Sequence, residues 1–340
     1  MAVVYGIDFG TCYSCISVCG DDGHPTIVPS PRGTNTTPSV VMFNTKKDGL
    51  PIVGQTAKNL FTNPKAENVV AFAKTELVNE NTANEYIVRD GEKRHLSTIE
   101  PVACIIYSIF SFANEQRKGQ GLPTTSNAVI TVPAVCSDIQ REKTKLSAEL
   151  SGINVLQVIN EPTAAAISYN IAIGETLLVF DLGGGTLDVS IIKRLSQTDY
   201  KVLSSEGNSN LGGKDWDRKL LQLCFENLEW DIAEPTTHQL VAIEQSKIDL
   251  CVAKSTEITL VNPTNGVTET LTIDLDEFEQ YSSDLIDNAM RVIDMAISSA
   301  KSEDDTLNID RICLAGGSSK MPSIKKAVQK HLPNIMVELN

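Results

Sequence analysis

The chain has 340 residues, 41% of them hydrophobic and 21% charged, a length that suggests about two domains and a composition ordinary for a globular protein. Its 29 basic and 43 acidic residues leave a net charge of −14 without a basic cluster; this speaks against nucleic acid as a partner. No apolar run approaches the roughly 20 residues that span a bilayer. The start, MAVVYGID, has neither part of a signal peptide, so a cytoplasmic protein with no membrane partner is expected.

Residues 3–19 read as a hairpin turning at Gly10 and Thr11, followed by a turn at Asp21, Asp22 and Gly23 and a strand at 26–28. A loop at 35–38 leads to a strand at 39–43 and a turn at 46–49. A helix is expected at 55–60, ending near Asn63 and Pro64, and another at 66–78 carrying Lys74. The polar stretch 79–94 reads as a hairpin or loop of a small appended subdomain. Residues 98–117 form a strong helix, opened by Ser97, Thr98, Glu100 and Pro101 and stopped by Lys118 and Gly119. A strand at 128–133, a helix capped by Ser137 and Asp138 that runs to about 150, a strand at 155–159 and an Ala-rich helix to about 170 complete the first half.

The second half repeats the order. Strands are expected at 176–182, 187–194 and about 200–206, then a Gly-rich loop at 210–213, a helix at 216–226, an inserted piece at 227–282 and a helix at 283–301. A strand at 308–315 runs into Gly316, Gly317 and Ser318, and Met321 and Pro322 lead a last helix to His331. Three strands, helix, strand, helix, twice over, is a duplicated α/β fold. The lobes expected are 1–170, with an inserted subdomain at about 36–96, and 171–340, with one at about 213–282.

Two stretches half a chain apart share one pattern: 4–17, VYGIDFGTCYSCIS, and 179–190, VFDLGGGTLDVS. Each is an apolar run into an Asp, then Gly, then Thr, then an apolar-rich run. This is a hairpin whose turn is stripped of side chains so that backbone N–H groups can meet an anion, with Asp8 or Asp181 placed to hold a cation through its waters. Asp also simply favours turns. Of the eight cysteines, Cys12 and Cys15 have CxxC spacing, but no second pair accompanies them and positions i and i+3 of a strand face opposite ways. Reduced, buried thiols are the expectation.

The segments GIDFGTCYSC, VITVPAVCSDIQR, VINEPTAAAISY with VFDLGGGTLDVSII, and LGGKDWD followed by LAGGSSKMP stand in one order. With them the chain resembles the nucleotide-binding domain of the seventy-kilodalton heat-shock (DnaK-type) chaperones over almost its whole length, least at 79–96 and 227–275. The resemblance implies a duplicated actin-like ATPase fold, a ribonuclease H-like motif twice, with two lobes around a nucleotide cleft. It further implies slow, magnesium-dependent hydrolysis of ATP to ADP, lobe rotation as output, a J-domain co-chaperone and a nucleotide-exchange factor as partners, and peptide clients if a downstream domain exists. A binding-only pseudo-ATPase, an actin-like filament protein and a small-molecule kinase are the rival readings.

The site residues the resemblance implies are these. Asp8 and Asp181 would hold magnesium through water, with Glu161 on a magnesium-bound or attacking water; Glu161 also suits a helix start. Gly10, Thr11, Cys12 and Tyr13 would offer amides to the phosphates, Cys12 standing where the family usually has a second Thr. Gly183, Gly184 and Gly185 would wrap the β- and γ-phosphates with Thr186 orienting them, and Asp188 would align the water or serve the structure. Lys74 would stabilise charge on the phosphoryl group; a solvated helix Lys is the alternative. Pro133 and Arg141 match positions that relay lobe rotation, or are a turn Pro and a surface Arg. On the adenosine side, Glu244 and Lys247 fit ribose contacts, and Gly212, Gly213, Gly316, Gly317, Ser318 and Lys320 fit glycine-rich loops beside the nucleotide. Ile248 stands where the family puts a base-stacking Arg and Cys251 where it puts a hydroxyl. The second lobe's last strand and helix, due after residue 331, are expected to be absent.

Overall fold

Alternation of buried and outward side chains along Val4–Phe9 and Tyr13–Cys19 makes an antiparallel pair around the turn at 10–12, with Tyr5, Ile7, Phe9, Ile16 and Val18 inward. A computed structural model describes residues 3–19, 24–43, 50–61, 68–77, 84–87, 93–232, 237–262, 264–303 and 305–339. The turns expected at 21–23 and 46–49 and the helix end near Asn63 lie outside them. The chain divides into two units, Met1–Ala164 and Ala165–Asn340.

In the first unit the hairpin sits in a mixed sheet of order Asn154–Asn160, Asn127–Val132, Val4–Phe9, Tyr13–Cys19, Pro25–Ile27, with Thr37–Pro38 also on Tyr13–Cys19. The strands 154–160, 127–132 and 4–9 run parallel; the remaining pairings are antiparallel. Helices Ile99–Gly119 and Asp138–Leu150 close its core, where Ile105, Ile106, Ala113 and Ala148 meet Tyr5 and Phe9. Ser137 and Gln140 form a reciprocal capping box that starts the second of these helices as its sequence predicts. A small sheet of order Ile52–Val53, Val40–Met42, Val69–Ala71 and a ribbon of Asn84–Ile87 and Lys93–Leu96 are appended.

The second unit has a sheet of order Tyr200–Asn208, Leu187–Arg194, Thr176–Leu182, Arg311–Ala315, Met336–Leu339. Leaving aside the two-residue strand Thr37–Pro38 and numbering the other strands of each sheet in chain order, both read third, second, first, fourth, fifth, with the first three antiparallel and the last two parallel to the first. Thr176–Phe180 is buried without interruption, as befits a central strand covered on both faces. Helix Gly213–Asn227, with Trp216 wholly buried, and helix Ser283–Glu303 cover it. A ribbon of Ser255–Val261 and Thr268–Asp274 and helix Thr237–Leu250 lie between third and fourth strands in the chain.

Two expectations are corrected. Residues 66–78 are not one helix: Val69–Ala71 is a strand on Val40–Met42, and only Ala73–Glu76 is helical. The β-branched pair Val69-Val70 supplies a strand face, and Phe72, at φ 59°, turns the chain through the left-handed region before the helix. The strand expected to be absent after residue 331 is present, because Met336–Leu339 adds to the parallel edge beside Arg311–Ala315, held by Arg311 on Glu338 at 2.7 Å. Among the described residues no helix is long and apolar enough to cross a membrane.

All eight cysteines are free thiols. Burial pushes Cys15 and Cys224 up to about 12 and Cys104 and Cys313 up to about 11, from an ordinary value of 9.0. A thiol held neutral in the fold contributes stability that is fully present below about pH 9 and is lost as pH rises toward the folded values. In the folded protein these four are expected to resist iodoacetamide at pH 8 and to react once urea unfolds it. Rapid labelling of all four in the native state would contradict the burial.

Candidate functional site

In the first unit the hairpin turn is too tight for a side chain at Gly10, where a β-carbon would lie 2.2 Å from the Tyr13 carbonyl oxygen. Ser39 reaches into the same turn: its hydroxyl donates to the Gly10 carbonyl and its N–H to the Cys12 carbonyl, each at 2.8 Å. Asp8, at the end of the first strand, accepts a 2.8 Å hydrogen bond from Thr131 on the neighbouring strand. Tyr13 is exposed and accepts from Lys58 Nζ at 2.7 Å.

Lys74, carried on the one-turn helix after Phe72, forms a 2.7 Å ion pair with Glu161 at the start of helix Glu161–Ser168. The two side chains are 13% and 19% exposed, so losing either leaves a poorly solvated charge behind. Lys74 is thus not a solvated surface lysine. Arg141 donates to Asn160, next to Glu161, and to the Val158 carbonyl; Pro133 accepts from the Cys136 amide in the turn before the capped helix. Burial raises the Cys136 thiol, opposed by the cations Arg141 and Lys74. Sequence reasoning brings Lys74, Glu161 and Arg141 forward singly; the structure draws the first two together.

In the second unit Asp181 and Asp188 are direct cross-strand partners at the mouth of the hairpin, and Thr186 donates to Asp188 at 3.3 Å. Like charges placed opposite each other repel. Two acceptor-only carboxylates at the rim of a turn suit a hard cation such as magnesium, which keeps most of its waters and needs only one or two protein carboxylates. Among the described residues no three His, Cys, Asp or Glu side chains cluster as a direct metal site.

The glycine turn is braced by backbone. Gly213 and Lys214 amides donate to the Gly183 and Gly184 carbonyls at 3.0 and 2.9 Å, and a β-carbon at Gly212 would lie 2.4 Å from the carbonyl carbon of Gly185. Asp215 accepts from the Gly212 amide and caps helix Gly213–Asn227; its carboxyl is raised by burial, with that amide and nearby cations pulling it back. Gly316, at φ 82°, passes so close that a β-carbon there would meet the Leu182 carbonyl oxygen at 2.4 Å and Asp181 Oδ1 at 2.5 Å. Ser319 accepts from the Leu182 amide.

On the expected adenosine side, Lys247 is buried on Asp217 at 2.7 Å and donates to the Gly213 carbonyl at 2.9 Å. A β-carbon at Gly213 would meet Ser318 Oγ at 2.3 Å and Lys247 Nζ at 3.2 Å, so residues 213, 247 and 318 share one place. Ile248 is 45% exposed. Glu244 is half-buried on the same helix, Cys251 is raised by burial, and Gly317 and Lys320 are exposed. Sequence reasoning misses Ser39 and Asp217; a Ser before a strand and an Asp inside a helix carry no signal without the contacts.

A family model described as Hsp70 protein matches residues 4–334. A Chaperone protein DnaK from Mycoplasmoides gallisepticum is 34% identical to this chain, over 98% of it and 56% of the relative. Another Chaperone protein DnaK, from Mycoplasmopsis agalactiae, is 34% identical over 97% of this chain and 54% of the relative. The chain spans about half the length of these curated relatives.

Gly212→Ala forces a methyl against backbone that cannot yield, and is expected to cost about 1–3 kcal/mol, the usual range for overpacking, as a lowered urea midpoint. A midpoint equal to that of the unsubstituted protein would show that the 183–185 turn is not braced this way.

Proposed function

The chain belongs to the Hsp70 family, and from that premise we propose that it is the ATP-binding, slowly ATP-hydrolysing region of a DnaK-type chaperone. In this reading its units, Met1–Ala164 and Ala165–Asn340, are the two lobes of a duplicated actin-like fold around a nucleotide cleft. Backbone amides of Gly10, Thr11, Cys12 and Tyr13 and of Gly183 to Thr186 take the phosphate oxygens. Magnesium, held through water by Asp8 and Asp181 with Glu161 nearby, would neutralise phosphate charge.

The observation that supports hydrolysis most directly is the Lys74–Glu161 ion pair. Phosphoryl transfer asks a protein for positioned charge rather than covalent chemistry. Lys74 brings positive charge to the transferring phosphoryl oxygens, and Glu161, oriented by its contact with Lys74, accepts a hydrogen bond from the attacking water. Asp188, held by Thr186, aligns that water from the other turn. Lys247 acts from behind: its pairing with Asp217 and the Gly213 carbonyl fixes the loop on which the sugar would rest, while Glu244 takes the ribose hydroxyls. Gly316 to Lys320 lie under the base with Ile248 and Cys251. Ile248 offers an apolar face where a guanidinium would add about 0.5–2 kcal/mol of stacking. Hydrolysis and exchange would turn one lobe against the other, through Pro133 and Arg141, under a J-domain co-chaperone and an exchange factor in the cytoplasm.

Single-turnover hydrolysis of ATP tests this. Lys74→Ala should lower the rate by about 10²–10³-fold, the effect of removing one positioned electrostatic group, while ADP affinity with magnesium stays within about threefold. A rate unaffected by Lys74→Ala would contradict its role, and absence of turnover in the unsubstituted chain would contradict the ATPase reading.

A further inference from the structure

We infer that Ser39 is a positioning residue that sets which way the amides of the first phosphate turn point. The inference rests on the nucleotide reading above and adds to it a residue outside both glycine motifs. Ser39 lies 29 positions from Gly10 in sequence, buried at 1% exposure, just before strand Val40–Met42. Its hydroxyl is 2.8 Å from the Gly10 carbonyl oxygen, its own N–H is 2.8 Å from the Cys12 carbonyl oxygen, and its hydroxyl oxygen is 2.8 Å from that of Ser14, itself 1% exposed.

The direction of these bonds follows from donor counting. A carbonyl can only accept, so the single hydroxyl hydrogen of Ser39 goes to Gly10. Ser14 must then be the donor to Ser39. The result is a buried relay, Ser14 to Ser39 to Gly10, with every step fixed. In a trans peptide the C=O and the following N–H point opposite ways. Holding the Gly10 carbonyl toward Ser39 therefore turns the Thr11 N–H away from it, and holding the Cys12 carbonyl does the same for the Tyr13 N–H. Two of the turn's peptide planes are locked with carbonyls on one side and amides on the other, which is what an anion-binding turn needs. Without the hydroxyl, the 10–11 peptide is free to rotate, and a rotation presents a carbonyl oxygen where a phosphate oxygen should sit. Pairing of Val40 with Ala71 ties the same strand to the segment that carries Lys74, so Ser39 locates the turn against the frame that locates the lysine.

The test compares Ser39→Ala with Ser14→Ala, each of which removes one buried hydroxyl. Ser39→Ala should weaken ADP binding in the presence of magnesium by about tenfold, the loss of one well-formed contact to a charged ligand, and leave AMP, which lacks the β-phosphate, within about twofold. Ser14→Ala retains the Ser39–Gly10 bond and should weaken ADP less than about threefold, since only the relay's first step is lost. Ser39→Cys, the same in branching but slightly larger and a feeble donor, gives the same comparison if the alanine variant does not fold. Equal ADP affinity in Ser39→Ala and the unsubstituted chain would overturn the inference, as would parallel losses for ADP and AMP or for both serine variants. Failure of the unsubstituted chain to bind ADP would instead remove the nucleotide reading itself.

Discussion

Backbone must pack on backbone at the turns, and much of both units is arranged to let it. A β-carbon has no room at Gly10, Gly212 or Gly316. In the second unit the absence of side chains brings the 183–185 turn onto the N-terminal end of helix Gly213–Asn227 and the 316–320 loop onto the end of strand Thr176–Leu182. Amides of 213 and 214 hold the carbonyls of 183 and 184, so the turn's peptide orientation is inherited from a helix with its own capped start. In the first unit a serine between strands Thr37–Pro38 and Val40–Met42 holds the turn's carbonyls. Different chemistry fixes the two turns, although the sheets that carry them share one strand order.

Charge is placed after the backbone. Lys74 and Glu161, 87 positions apart, meet where Val69–Ala71 adds to Val40–Met42 and Phe72, in the left-handed region, leads into the helix that carries Lys74. Lys247 is held on Asp217 and the Gly213 carbonyl, largely out of water. A buried pair of this kind is weak support for stability in itself but costly to break on one side, so each cation is retained in one orientation. Asp181 and Asp188 oppose each other across a hairpin, an arrangement that self-repulsion disfavours.

The hairpins, the capped helix Asp138–Leu150, the long helices Ile99–Gly119 and Ser283–Glu303 and the glycine turns were legible because each rests on local signals: period-two or 3.6-residue alternation, caps and Gly clusters. What was not legible depends on long-range pairing. Val69–Ala71 has helical neighbours, and only its partner Val40–Met42 decides that it is a strand. Met336–Leu339 is four residues long and becomes a strand by docking beside Arg311–Ala315. Lys247 looks like an outward polar residue on helix Thr237–Leu250 until Asp217, 30 positions earlier, is found beside it. Ser39 is one more serine before a strand until its two bonds to the turn are seen.

The account stands on magnesium-assisted binding of an adenine nucleotide, and calorimetric titration with ADP, with and without magnesium and repeated with GDP, addresses that most directly. It predicts one site, tighter with magnesium, that prefers ADP despite Ile248 and Cys251. Absence of binding, or binding indifferent to magnesium, would contradict it.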